Sequence, residues 1–193
     1  MRQLYSVIIM TALVSSCAVI HQEVTLNPDV NVASTDIGKG RPIQLKTVDE
    51  RTSTVIGSRG VKGGAAASAE ITNSQGVLAV IQRSLLDGLR RKGFKPALEE
   101  GSLQHGLRVD IRNLEYSLTP GIVMANLRAE AALKATCMVN RTQSYDRMYR
   151  GEERDRVFFV QFASENERYI NSALSKAIQG VLDDRKLQEC LAQ

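Results

Sequence analysis

The sequence predicts an α+β fold: an antiparallel meander sheet with two helices packed on one face. Three observations carry this. Apolar and polar residues alternate through most of 105–162, the period of a half-buried strand. Two segments carry apolar residues at steps of three and four, the period of a helix. The first precedes the alternating stretch and the second follows it, an order that separates strands from helices.

The elements follow along the chain. "RPIQLKTVDER", 41–51, alternates Ile43 and Leu45 toward Val48 and suits a strand. "IGSRGVKGGAAASA", 56–69, has four glycines and small residues, which suit a surface loop. Helix one is then marked by Leu78, Ile81, Leu85 and Leu89, with Thr72 and Gln75 at capping-box spacing. Arg90, Arg91 and Lys92 suit the negative end of its dipole, and Gly93 the residue past its end. "FKPAL" is a short extended piece. In "LRVDIRNLEYSL", Leu107, Val109 and Ile111 share one face, and the phase changes at Asn113–Leu114. A bulge there brings Leu114, Tyr116 and Leu118 to the same side. "TPG", 119–121, turns the chain. "ANLRAEAALKATCMV" alternates again, "NRTQ" turns, and "SYDRMYRGEERDRVFFVQF" returns. In the last helix Ser164 and Glu167 have capping-box spacing. Ile170, Ala173, Leu174, Ala177, Ile178, Val181 and Leu182 form its stripe, which loosens at Asp183-Asp184 and can extend through Leu187, Cys190 and Leu191.

The start of the chain is of another kind. Arg2 precedes an apolar run from Leu4 to Val14. The run is shorter than the roughly twenty residues that span a bilayer and matches a cleaved secretory signal. Val14-Ser15-Ser16-Cys17 resembles the bacterial lipobox, which implies cleavage before Cys17 and acylation of its thiol. Several acyl chains, at about 0.8 kcal/mol per buried CH₂, hold a protein to a bilayer where one does not. Ala18 follows the cysteine, where aspartate would suggest inner-membrane retention, so the resemblance implies the outer membrane. The expected division is signal peptide 1–16, lipidated N-terminus and tether 17–41 (with "EVTLNP" as a short edge strand), and one α+β domain, 42–193.

The chain carries 25 Lys and Arg against 21 Asp and Glu, a net +4 at pH 7. It lacks the dense basic clusters of a nucleic-acid binder, so a nucleic-acid partner is not expected. Cys137 and Cys190 remain beyond the anchor. An oxidising compartment permits them to pair; two buried free thiols are the alternative.

Residues able to do chemistry are few. The two histidines, His21 and His105, lie in the tether and in a loop. No G-x-S-x-G or H-E-x-x-H pattern occurs. Gly57, Gly60, Gly63 and Gly64 match no phosphate-loop spacing, although Arg59 and Lys62 sit among them. Glu152, Glu153 and Asp155 could act as acid and base, but Arg150, Arg154 and Arg156 interleave with them as on a solvated strand edge. Asn140-Arg141-Thr142 has the form of a glycosylation sequon. No catalytic residue, metal or cofactor is expected.

The lipobox, the strand leading into "VDERTSTVIGSRG", the helix ending in "LRRKGF" and the C-terminal "NSALSKAIQGVLDD" together resemble the YajG-type family of small bacterial outer-membrane lipoproteins. The resemblance implies a non-enzymatic protein, held by Cys17 to the outer membrane and facing the periplasm, that binds or supports another envelope component. Asp49, Arg51, Ile56, Gly57 and Arg59 match the family motif, and Asp49, Arg51, Gly57 and Arg59 form the candidate interaction site. An accessory role in lipid or lipopolysaccharide transport is the alternative and requires an apolar groove between helices and sheet. A periplasmic hydrolase would require His105 or the 152–155 carboxylates in a cleft.

Overall fold

The structure, a computed structural model, describes residues 21–58, 69–119, 121–158 and 162–193. The signal peptide, Cys17 and Arg59 lie outside the described residues. Eight strands form one sheet: β1 Gln22–Glu23, β2 Pro42–Asp49, β3 Gly57–Ser58, β4 Glu70–Thr72, β5 Lys95–Leu98, β6 Gly106–Thr119, β7 Ala125–Val139 and β8 Thr142–Val157. Among the described residues three helices accompany it: α1 Val77–Arg91, α2 Ala163–Asp183 and α3 Arg185–Leu191.

The sheet is mixed, which corrects the expected antiparallel meander. Only β6, β7 and β8 form a meander. β2 runs parallel to both β5 and β6. The cause lies in the connection, because β2 reaches β5 through α1 and a helical crossover returns the chain in the same direction. β3 continues where β2 stops, with Gly57 opposite Tyr116 of β6. The register of β6 shifts between Ile111 and Asn113. Leu107, Val109 and Ile111 before the shift, and Leu114, Tyr116 and Leu118 after it, are all buried.

The α2 stripe is buried along its length, from Ile170 to Leu182. Gly151 on β8 is what lets the helix approach. A Cβ there would lie 1.9 Å from the carbonyl oxygen of Ala173, closer than any side chain permits. Helix ends differ from expectation. Thr72 lies in β4 and α1 is capped at Gly76, while the Gln75 carboxamide oxygen accepts from Leu26 N–H at 3.0 Å. α2 starts after Phe162, whose N–H donates to Glu165 at 3.3 Å. Glu167 accepts instead from Thr25 N–H at 2.8 Å. Lys92, expected as a cation at the negative end of the helix dipole, is 4 % exposed and bonds Asp183 at 2.8 Å, joining the ends of α1 and α2. The last apolar residues form the separate α3, the third helix.

The tether expected over 17–41 is, from residue 22 on, part of the packed body. β1 pairs with β4, and Val24, Leu26 and Val32 are buried in the core. Full burial of such side chains contributes about 1.5–3 kcal/mol each. The backbone of this segment is satisfied by side chains more than by strands. Asn73 Nδ2 donates to Val24 O at 2.8 Å, and Gln179 Nε2 to Asn31 O at 2.7 Å. Asn171 does two things: Oδ1 accepts from Asn27 N–H at 2.8 Å and Nδ2 donates to Thr25 O at 3.0 Å. Asn171→Ala should loosen the segment by about 2 kcal/mol, at about 1 kcal/mol per hydrogen bond. Hydrogen exchange should show this as faster exchange at Asn27 with the β6–β7 ladder unchanged.

Candidate functional site

Between the end of β2 and the start of β3 the chain leaves the edge of β6 and returns. Glu50 N–H donates to Ile111 O at 3.0 Å before the excursion, and Tyr116 N–H donates to Ile56 O at 2.7 Å after it. The excursion carries the family-like motif. A cleft of about 450 Å³ opens here, lined by Arg51, Ser53, Gly57, Arg112, Tyr116 and Ser117 among others.

Asp49 and Arg51, expected only as motif positions, meet as an ion pair. Arg51 Nε donates to Asp49 Oδ1 at 2.9 Å and Nη2 to Oδ2 at 2.8 Å, a two-pronged pair. The Arg51 guanidinium beside it holds the Asp49 carboxyl below the usual carboxylate range, against the opposing effect of burial. The Arg51 side chain is 8 % exposed, and its Nη1 is buried with no hydrogen-bond partner among the described residues. A buried donor of this kind costs free energy until an acceptor arrives. Gly57 is required by a close approach, since a Cβ there would lie 2.1 Å from Tyr116 O. Asp49, Arg51 and Gly57 are thus brought to one edge of β6, and Arg59 falls outside the described residues.

A second charged group, with no counterpart among the sequence expectations, lies beside the cleft. Glu50 bonds Arg112 Nη1 at 2.6 Å and Arg108 Nη2 at 3.1 Å. Asp110, 4 % exposed, bonds Arg108 Nε at 2.7 Å. The signal was present as Arg108-x-Asp110-x-Arg112 on one strand face; what was missing was the proximity of Glu50, which depends on the parallel pairing of β2 with β6.

The remaining candidates are accounted for individually. Cys137 on β7 and Cys190 on α3 are joined as a disulfide, with Cα atoms 6.4 Å apart. His105 Nε2 lies 3.4 Å from Leu191 O, and His21 Nδ1 accepts from Glu70 N–H at 3.3 Å. The 152–155 carboxylates do not converge. Glu152 bonds Arg128 and Arg154, Glu153 bonds Ser172 and Lys176, and Asp155 bonds Tyr169. These partners, led by the Arg154, Lys176 and Tyr169 hydrogen bonds respectively, hold all three carboxyls below their ordinary range. The space between α2 and the sheet is filled: Ile170, Ala173, Ala177 and Ile178 of α2 are fully buried in one core with Leu133 and Ala135 of β7. Among the described residues no three His, Cys, Asp or Glu side chains gather as for a metal, and no helix is long and apolar enough to cross a membrane.

The described body is of the α+β class, a mixed sheet backed by helices. A family model described as "Uncharacterized lipoprotein" matches residues 28–192, and the chain belongs to that family. No curated protein is matched by sequence. Among solved structures, protein XCC0632 from Xanthomonas campestris superposes with a TM-score of 0.57 at 12% identity, covering 87% of this chain and 95% of that one. A neuraminyllactose-binding hemagglutinin homologue from Helicobacter pylori gives a TM-score of 0.52 at 8% identity, with coverage of 88% and 98%. A minor lipoprotein from Acinetobacter baumannii gives 0.41 at 9% identity, with coverage of 79% and 90%. At these identities the first two likenesses show the fold alone. Membership of a lipoprotein family associates the chain with the bacterial envelope membrane.

Proposed function

We propose that this chain is a non-enzymatic lipoprotein of the YajG type, anchored by acylated Cys17 to the periplasmic face of the outer membrane. There it binds another envelope component through the cleft beside Asp49, Arg51 and Gly57, with Arg59 of the same motif outside the described residues. The observation that carries the binding site is the Arg51 guanidinium, fixed by Asp49, with its buried Nη1 donating to no acceptor among the described residues. A carbonyl or anionic oxygen from a partner satisfies it once binding exposes that nitrogen. A hydrogen bond to a charged group contributes about 1.5–3 kcal/mol, so Arg51→Ala should weaken binding by roughly tenfold to a hundredfold.

Two measurements test the two halves. Globomycin treatment or Cys17→Ser should leave an unprocessed precursor that no longer fractionates with the outer membrane, and normal fractionation refutes the anchor. A photo-crosslinking residue at exposed Ser53 should give a discrete adduct in the living envelope. The adduct should fade in Arg51→Ala; equal yield in the two backgrounds refutes the cleft.

A further inference from the structure

One end of the molecule gathers apolar side chains into solvent. In the turn between β6 and β7, Ile122 is 102 % and Val123 71 % exposed. At the start of α2, Phe162 is 73 % exposed, and Phe158, just past the end of β8, is 69 % exposed. These positions are neighbours by topology. Ala125 pairs with Val157, so the β6–β7 turn and the end of β8 lie side by side, and α2 begins a few residues on.

The chain enters the body at the same end. Gln22 pairs with Ile71, Ile71 with Gly57, and Gly57 with Tyr116 near the outer end of β6. Gln22 Oε1 also accepts from Asn166 Nδ2 at 2.6 Å, one turn of α2 beyond Phe162. Residues 18–21 are all that separates Cys17 from Gln22. An extended chain covers at most about 3.6 Å per residue, so Gln22 stays within about 18 Å of Cys17. The body cannot swing far from its anchor, and the end that must face the bilayer is the end that exposes Ile122, Val123 and Phe162.

From this we infer that the pole formed by the β6–β7 turn and the start of α2 is a second membrane contact, seated in the headgroup region of the leaflet that holds the acyl chains. The inference rests on the reading of Cys17 as the acylated residue. A scattered exposed apolar side chain needs no explanation, but a cluster at one end marks an interaction surface. Exposed Arg156, beside Val157, adds a cation at the same level, suited to anionic headgroups. Seating this pole fixes the orientation of the body, so that the Arg51 cleft is presented at a set height above the membrane.

The test uses the lipidated full-length protein in vesicles of phosphatidylethanolamine and phosphatidylglycerol. With Cys17 acylated and Cys137 bonded to Cys190, an introduced cysteine is the reactive thiol. A polarity-sensitive fluorophore is placed on Val123→Cys, on Phe162→Cys, or on Ser144→Cys at the opposite end. Probes at 123 and 162 should shift to the blue and be quenched by brominated lipid, while the probe at 144 stays aqueous. Aqueous probes at all three sites on a vesicle-bound, lipidated protein overturn the pole and leave the anchor standing. Lack of a lipid mass on Cys17 overturns the anchor and the pole together. A Val123→Cys dimer formed by oxidation in the vesicles, with no quenching by brominated lipid, assigns the surface to a second copy and also overturns the proposal.

Discussion

Replacing Asp184 by alanine should cost about 4 kcal/mol, more than most single substitutions. Its carboxylate is 5 % exposed and serves two elements at once. Oδ1 caps α3, accepting from the N–H groups of Lys186 and Leu187 at 2.9 and 3.1 Å. Oδ2 accepts from Tyr145 and Tyr149 hydroxyls at 2.9 and 2.8 Å and from Arg147 Nη1 at 3.2 Å. Loss of an N-cap costs about 1 kcal/mol. Each part-buried hydroxyl left without an acceptor adds about 1 kcal/mol or more. Burial works against the charge, but the donors outweigh it and hold the Asp184 carboxyl below its ordinary value. The pH dependence follows. The contribution is complete above the ordinary carboxylate pKa of about 4 and is lost as pH falls through the lowered value. Burial and the Asp184 contact push the Tyr149 phenol well above its ordinary value, so stability also falls above about pH 10, where the unfolded chain ionises and the folded one does not. Urea unfolding of the acyl-free protein across pH should show both limbs. In Asp184→Asn the acid limb should flatten. An acid limb unchanged in that variant would show that Asp184 does not carry it.

The contrast between Asp184 and the α2 stripe shows where the sequence is legible. The stripe and the alternation of β6 are local patterns, fixed by the geometry of one element, and even the bulge leaves a phase change in the text. Asp184 reads only as the place where a stripe loosens, because its donors lie 35 to 39 residues away for the tyrosines. The same reason hides the parallel pairing of β2 with β6. Alternation sets which face a residue takes and says nothing of the neighbouring strand. The segment 22–32 was hardest to read: it has little regular hydrogen bonding of its own, and Asn73, Asn171 and Gln179 supply partners from elsewhere. At the candidate site Asp49 and Arg51 were legible only as matches to a family motif, not as a pair. The unsatisfied Arg51 N–H was not legible, because it depends on how the excursion folds back over β6.

Removal of the Cys137–Cys190 bond should cost a similar amount, and for a cause that lies partly in the unfolded chain. The bond closes a separation of 53 residues. In the chain-entropy model, a loop of that length constrains the unfolded ensemble by about 4 kcal/mol. In the folded state the bond ties α3 to β7, beside the buried side chains of Leu187 and Leu191. The double variant Cys137→Ala/Cys190→Ala should therefore melt roughly 10 °C lower, at about 2–4 °C per kcal/mol for a body of this size. Reductant should bring the native protein down to the same temperature and leave the variant unmoved. Recovery of free thiols at both positions from untreated protein would refute the bond. Because Asp184 caps the helix that the disulfide tethers, the two losses share a target. Once α3 is detached, its cap has less left to stabilise. Asp184→Ala combined with the double variant should then cost less than the sum of the two, and the shortfall measures how much of each interaction acts through α3.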